Sequence, residues 1–142
     1  MLVRKIIFSI LNLFDQNKEK IPNLVAQKFN KYPSLSKNDK HRIRVCTNEI
    51  IRYRGLIDYL IEKGSKRKIS YVNRKVRNVL RLGIYELVFD DIIPDFAAIH
   101  SSVELAKKNI NKKSSSMINA VMRNIQRLNQ KNDSWKITLI KN

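Results

Sequence analysis

The chain has 142 residues, of which 43% are hydrophobic, 29 are lysine or arginine and 12 are aspartate or glutamate. Only three glycines, three prolines and one cysteine are present, which leaves little turn chemistry for an all-β fold and excludes an intrachain disulfide framework. A net charge of +17 far exceeds the roughly 2–8 that a small domain needs for solubility, and it favours nucleic acid as a partner.

The amino-terminal half predicts four helices, because its apolar residues recur at three- and four-residue steps. They lie within residues 2–14, 21–29, 43–53 and 56–61. A capping pattern from Ser36 to Asp39 precedes the third helix, and Gly55 is expected to mark either a break before the fourth helix or a point of close packing. No apolar run approaches the roughly 18 residues that a membrane span requires, so no membrane-spanning helix is predicted. An anionic membrane surface is the other usual partner of such a charge, but nucleic acid is expected here and no membrane.

The carboxyl-terminal half predicts three further helices. The fifth covers about 71–89, and Pro94 suits the first position of the sixth. The sixth helix is expected to bury Phe96, Ile99, Val103 and Ala106. A polar loop at 111–116 then leads to a seventh helix, whose apolar stripe runs over 117–128.

These elements predict one all-α domain of about seven helices over residues 1–131 and a carboxyl-terminal tail over 132–142. The residues offer no catalytic constellation. His41 and His100 lie outside metal-ligand spacing, Cys46 falls on an apolar stripe, and the chain has no glycine-rich phosphate loop. We therefore expect no metal, no cofactor and no catalysis by this chain alone, and the lone cysteine suits a reducing, cytoplasmic compartment.

Cations are grouped along the chain, and no acidic residue lies between Lys63 and Arg81. One such group is typical of a solvated helix face, but several unbalanced groups under a net charge of +17 indicate contact with nucleic-acid phosphates. The main surface is expected to consist of the run 66–68, the stripe of Arg74 and Arg77 on the fifth helix, and the pair 4–5. The candidate contact residues are Arg4, Lys5, Lys66, Arg67, Lys68, Arg74, Arg77, Lys107, Lys108 and Arg123.

Four motifs occur in a fixed order in the carboxyl-terminal half. They are VLRLGIYEL at 79–87, Ile93-Pro94, a segment at 97–108 containing AAI and VELAKK, and INAVMR at 118–123. This series resembles the NusB family, which includes the NusB antitermination factor and the amino-terminal domain of RsmB-type small-subunit rRNA cytosine-5 methyltransferases. The resemblance implies an all-helical fold of two small three-helix halves and RNA, either rRNA or its leader, as the nucleic acid.

The resemblance also implies protein partners, namely a small-subunit ribosomal protein or the transcription elongation complex. Two departures bear on this. His100-Ser101 stands where the family commonly has Asn-Glu, which removes a carboxylate near the implied partner surface and weighs against ordinary ribosomal-protein pairing. The amino-terminal arginine-rich element of NusB is reduced to Arg4-Lys5.

Three functional hypotheses stay open. The first is an RNA-binding factor in transcription antitermination or rRNA maturation, non-enzymatic by itself. The second is the RNA-recognition domain of, or accessory to, a small-subunit rRNA cytosine-5 methyltransferase, although the chain has neither an S-adenosylmethionine loop nor a catalytic cysteine pair. The third is a protein-interaction adaptor.

Base preference would come from aromatic residues beside the cations, and Tyr71 and Tyr85 are the candidates. Because Tyr85 and Arg81 lie inside the family motif, the resemblance implies that both are packed. Arg81 is therefore left out of the candidate surface.

Overall fold

A computed structural model describes residues 1–131, which form seven α-helices joined by short connections. The helices are α1 (Leu2–Asn17), α2 (Ile21–Lys31), α3 (Lys37–Arg52), α4 (Arg54–Ser65), α5 (Arg74–Ile84), α6 (Asp95–Asn109) and α7 (Lys112–Lys131). A 3-10 turn spans Ile69–Tyr71, and a π-helical segment spans Tyr85–Phe89. The all-helical prediction is confirmed, as is the helix count over this part of the chain. The predicted tail, 132–142, lies outside the described residues.

Helix α5 lies at the centre of the fold. It packs against α1 and α3, which form one group with α2, and against α4, α6 and α7, which form the other. The buried apolar side chains of all seven helices belong to one cluster. Every residue of α5 from Asn78 to Ile84 is buried. This half of α5 therefore has no solvent-facing side, as is typical of a central helix.

The close approach of α6 and α7 to α5 depends on a glycine. A Cβ at Gly83 would clash with the Ser102 hydroxyl and would lie 2.7 Å from the Met122 sulfur.

In the part of the chain that the structure describes, no helix is both long enough and apolar enough to cross a membrane.

Helix α5 is shorter than the predicted 71–89. Its N-cap is Asn73, whose side-chain oxygen accepts a hydrogen bond from the Lys75 N–H at 3.0 Å. The residues before the cap form the 3-10 turn Ile69–Tyr71, and those after the helix form the wider π-helical turn Tyr85–Phe89. The spacing of apolar residues cannot distinguish α, 3-10 and π helices in a sequence, because each type places residues three to five apart on a common side.

The polar loop predicted at 111–116 is wrong, because α7 already begins at Lys112. The side chain of Asn111 accepts the Ser114 N–H at 2.7 Å, and the Ser115 hydroxyl donates to the Lys112 carbonyl at 2.6 Å. Short polar side chains here bond to the backbone of the first turn, which is the chemistry of a helix start.

Three apolar residues that were expected to face inward are exposed. Phe96 is 73%, Leu2 44% and Leu128 37% accessible, whereas Ile99 and Ala106 are buried as predicted. Each exposed residue lies within the first or last turns of its helix, where neighbouring helices no longer cover the apolar face.

The predicted break at Gly55 is displaced. Helix α3 ends at Arg52 and α4 begins at Arg54, with Tyr53 between them at φ −99° and ψ 18°. A Cβ at Gly55 would have nothing within 4 Å, so close packing does not explain this glycine. Helix α4 also extends beyond the predicted 56–61 at both ends.

Candidate nucleic-acid interface

The connection between α4 and α5, residues 66–73, is held by short-range hydrogen bonds. Lys66 ends α4 in the left-handed conformation (φ 58°), and its N–H donates to the Glu62 carbonyl at 2.8 Å. The Glu62 carboxylate accepts the Ile69 N–H at 2.7 Å, and Asn73 caps the next helix. The acid nearest to the connection is thus hydrogen-bonded to the backbone of the connection itself.

Six exposed cations lie on and beside this connection. We call them the basic junction: Lys63, Lys66, Arg67, Lys68, Arg74 and Lys75. Arg77, one turn into α5, is only half-buried, and its Nη1 lies 3.5 Å from the Ile69 carbonyl. The structure therefore brings four predicted residues together at one place, with Arg77 at the edge of the group.

The charge at the start of α5 is opposite to the charge that stabilises a helix start. Its first turn has no acidic residue and begins with Arg74 and Lys75. The backbone dipole makes the amino-terminal end of a helix positive, so cations there reduce stability and carboxylates increase it. Arg74 and Lys75 therefore lower the stability of this end of α5, and the same two cations attract anions.

Two clefts extend the basic junction onto other helices. A cleft of about 290 Å³ is lined by Lys5 of α1, Lys75 of α5 and Asn109 of α6. A second, of about 260 Å³, is lined by residues of α4 and α7 that include Lys66 and Arg127. Lys75 and Arg127 are additions to the predicted set; both stand beside predicted cations, outside the apolar stripes of their helices.

Arg4 has an intramolecular partner that the sequence did not reveal. Its Nη2 lies 2.8 Å from the Glu86 carboxylate, whose side chain is only 2% exposed. Arg42 contacts the same carboxylate at 3.1 Å and Asp90 at 2.6 Å. Withdrawing Arg4 toward RNA would remove a charge partner from a buried carboxylate, which is unfavourable.

Burial and the arginine partners act in opposite directions on the pKa values of Glu86 and Asp90. Burial raises the pKa of Glu86, against the opposing effect of Arg4 and Arg42. Burial would also raise the pKa of Asp90, but the Arg42 hydrogen bond and the amides of Ile92 and Ile93 outweigh it and lower that pKa. This network joins α1, α3 and the segment after α5.

The remaining predicted cations lie near opposite ends of α6, the lysines in its last turn and Arg123 on α7 beside its first turn. Lys107 and Lys108 are exposed in the last turn of α6. The next residue, Asn109, lines the same cleft as Lys5. Arg123 hydrogen-bonds Gln126 at 3.5 Å, and Gln126 reaches Asp95 in the first turn of α6 at 3.5 Å. At 1.5 Å per residue the two ends of α6 are about 20 Å apart. Arg123 is therefore separated from the lysine pair.

The aromatic and thiol residues follow the predictions. Tyr85 is 5% exposed, and its hydroxyl donates to Glu49 at 3.1 Å. Tyr71 is 76% exposed, which leaves it as the accessible candidate of the two. Cys46 is fully buried, and this burial raises the pKa of its thiol to about 11, a value that suits a structural rather than a nucleophilic cysteine.

A protein metal site is a cluster of ligand side chains. Within residues 1–131, no three histidine, cysteine, aspartate or glutamate side chains come together in a way that could hold a metal ion.

Comparison with known proteins identifies the family of this chain. A protein-family sequence model described as "NusB family" matches residues 1–127. The chain belongs to the NusB family. The family thus covers every helix from α1 to α6 and most of α7.

This NusB-family chain is similar in sequence to two relatives and in fold to one solved structure. It is 34% identical over 119 residues to the transcription antitermination protein NusB of Acetivibrio thermocellus, covering 83% of this chain and 79% of that one. It is 30% identical to a probable ribosomal RNA small subunit methyltransferase B of Synechocystis sp., covering 96% of this chain but 31% of the methyltransferase. A chain in the crystal structure of antitermination factors NusB and NusE in complex with dsRNA superposes with a TM-score of 0.82 at 25% identity, covering 89% and 94% of the two chains.

Proposed function

We propose that this chain is an RNA-binding transcription antitermination factor of the NusB type. The observation that carries the proposal is the basic junction, six exposed cations on a hydrogen-bonded connection with no acidic residue between positions 63 and 81. Membership of the family supports RNA as the ligand, and the solved complex of NusB and NusE with dsRNA supports it further.

The main phosphate contacts belong to the basic junction and to Lys5, with Lys107 and Lys108 along the same side. Arg77 contributes from the edge of this surface. Arg4 acts chiefly through Glu86, and Arg123 contributes least because it lies at the other end of α6. Phosphate contacts carry little sequence information, so these contacts supply affinity and orientation rather than sequence selectivity.

The test is the salt dependence of affinity for single-stranded RNA. If about five phosphates are neutralised, the logarithm of the binding constant falls against the logarithm of salt with a slope near −3.5. Arg74→Ala/Lys75→Ala should make the slope shallower by about 1.4, about 0.7 for each lost contact. Arg74→Ala/Arg77→Ala should weaken all RNAs to a similar degree.

The matched control is Lys31→Ala/Lys37→Ala, which removes two exposed cations at the last residue of α2 and the first residue of α3. It should keep the wild-type slope. A folded junction variant with wild-type slope and affinity would overturn the assignment of the main contacts to the basic junction, and the cations of residues 107–113 and 123–127 would become the candidates.

The alternative function is RNA recognition on behalf of an rRNA methyltransferase. It is favoured by the alignment with the Synechocystis protein, which spans 96% of this chain and 31% of that enzyme. Competition between a ribosomal leader RNA and a small-subunit rRNA fragment for the same chain distinguishes the two. Stronger binding of the leader supports antitermination, and stronger binding of the rRNA fragment supports the methyltransferase role.

The chain alone is proposed to be non-enzymatic. It is also proposed to pair with a NusE-type protein, because the solved complex with NusE has a NusB chain of this fold, and this outweighs the departure at His100-Ser101. Binding of S-adenosylmethionine in calorimetry, or methyl transfer to rRNA, would contradict the first statement. Recovery of a small-subunit ribosomal protein with the chain after RNase treatment would support the second. RNase-resistant recovery without any RNA affinity would instead favour the protein-interaction adaptor.

A further inference from the structure

An exposed tyrosine stands in the middle of the basic junction. Tyr71 is 76% accessible, and it follows Lys68 by three residues and precedes Arg74 by three. Large aromatic side chains are normally buried to a much greater degree. An aromatic face held among cations is the combination that binds single-stranded nucleic acid.

We propose that Tyr71 is a base-stacking platform, on which one unpaired base of the RNA lies while Lys68 and Arg74 hold phosphates on either side. This inference rests on the proposed function, because it assigns a base contact to the surface that binds the phosphates. It makes Tyr71 the residue through which the basic junction distinguishes an unpaired base from a paired one.

The backbone under Tyr71 is well fixed. The Tyr71 N–H donates to the Lys68 carbonyl at 2.9 Å, and the Val72 N–H donates to the Ile69 carbonyl at 3.0 Å. Ile69 is tied to α4 through Glu62 at 2.7 Å, and Val72 is 4% exposed in the core. The backbone is therefore anchored on both sides of the tyrosine, at Ile69 and at Val72. A platform ordered before binding loses less conformational entropy when the base arrives.

The other tyrosines beside cations are less suited to this role. Tyr85 is buried. Tyr59 is 44% exposed, but Lys63 Nζ lies 5.5 Å from its ring centroid, so a cation already occupies one face. Tyr53 stacks on Phe89 with ring centroids 5.5 Å apart. Tyr71 is the most exposed of these rings, and stacking on it requires a base that is free of a duplex.

The experiment compares the wild type with Tyr71→Leu, Tyr71→Phe and the control Tyr59→Leu. The probes are oligoadenylate with a 2-aminopurine reporter and inorganic polyphosphate, which has phosphates and no bases. Tyr71→Leu should bind oligoadenylate about 5- to 150-fold more weakly, the loss of one stacked base at ~1–3 kcal/mol. Tyr71→Phe and Tyr59→Leu should bind as the wild type does, and polyphosphate affinity should be the same for all four proteins.

The reporter gives a second readout, since stacking quenches 2-aminopurine fluorescence. The quenching should persist in Tyr71→Phe and vanish in Tyr71→Leu. Wild-type affinity and quenching in Tyr71→Leu, or a loss in Tyr59→Leu instead, would overturn this inference while the RNA-binding surface stands. Failure of the wild type to bind either probe would overturn the proposed function and this inference with it.

Discussion

The two ends of α5 present the same residue type in opposite environments. Arg74 is exposed in the first turn, among cations. Arg81, seven residues later, is 5% exposed, with two hydrogen bonds to Asp58 at 2.8 and 2.9 Å and one to Asp15 at 3.0 Å. Arg81 also donates to Asn78 at 2.9 Å. Its hydrogen bonds are made inside the protein, whereas Arg74 remains available to a ligand.

The difference shows what decides whether a cation is structural or functional. Burial would lower the pKa of Arg81, but the hydrogen bond to Asp58 and the charges of Asp58 and Asp15 outweigh it and raise that pKa. Both acids come from other helices, α4 and α1. The basic junction has no such supply of carboxylates, so the charge of Arg74 is left for an anion outside the protein.

Arg81→Met should produce the largest loss of stability, because it leaves two carboxylates without their buried partner. We expect about 3 kcal/mol less free energy of unfolding, the low end for breaking a buried pair, since both carboxylates keep some contact with water. Denaturant unfolding measures this. The control Arg74→Met should change stability by less than ~0.5 kcal/mol. Equal effects of the two substitutions would contradict the contrast between the two ends of α5.

Lys75→Glu should separate stability from RNA binding. The substitution puts a carboxylate in the first turn of α5, which we expect to raise the free energy of unfolding by about 0.3–1 kcal/mol. The same change should weaken RNA binding and make the salt slope shallower by about 0.7. Unfolding and RNA titration on one preparation test both. Loss of stability, or unchanged RNA affinity, would show that Lys75 is part of the fold and not of the interface.

Asp90→Asn should have a smaller effect that depends on pH. Because the folded pKa of Asp90 is lowered, its contribution is present above the unfolded value of about 3.9 and is lost as pH falls through the folded pKa. The stability difference between wild type and Asp90→Asn should therefore shrink as the pH is lowered through this range. Unfolding curves at a series of pH values measure it. A difference that stays constant with pH would remove Asp90 from the ion network.

Much of the fold and part of the interface follow from the sequence. Apolar residues at helical spacing predict the seven helices, and the buried positions of Cys46 and Tyr85 are those expected from the stripes and from the family motif. The charge excess and the run 66–68 predict the basic junction. These features depend on residues close together in the chain, and local patterns report them directly.

The tertiary structure alone decided which cations are free. The partners of Arg81 lie 23 and 66 residues away, and the partner of Arg4 lies 82 residues away. Phe96 is exposed although its spacing predicts burial. Helical periodicity defines the apolar face of each helix but not which helix will cover it or which acid will face a given arginine. Those pairings are set when the helices pack around α5, and they decide which positive charges remain for RNA.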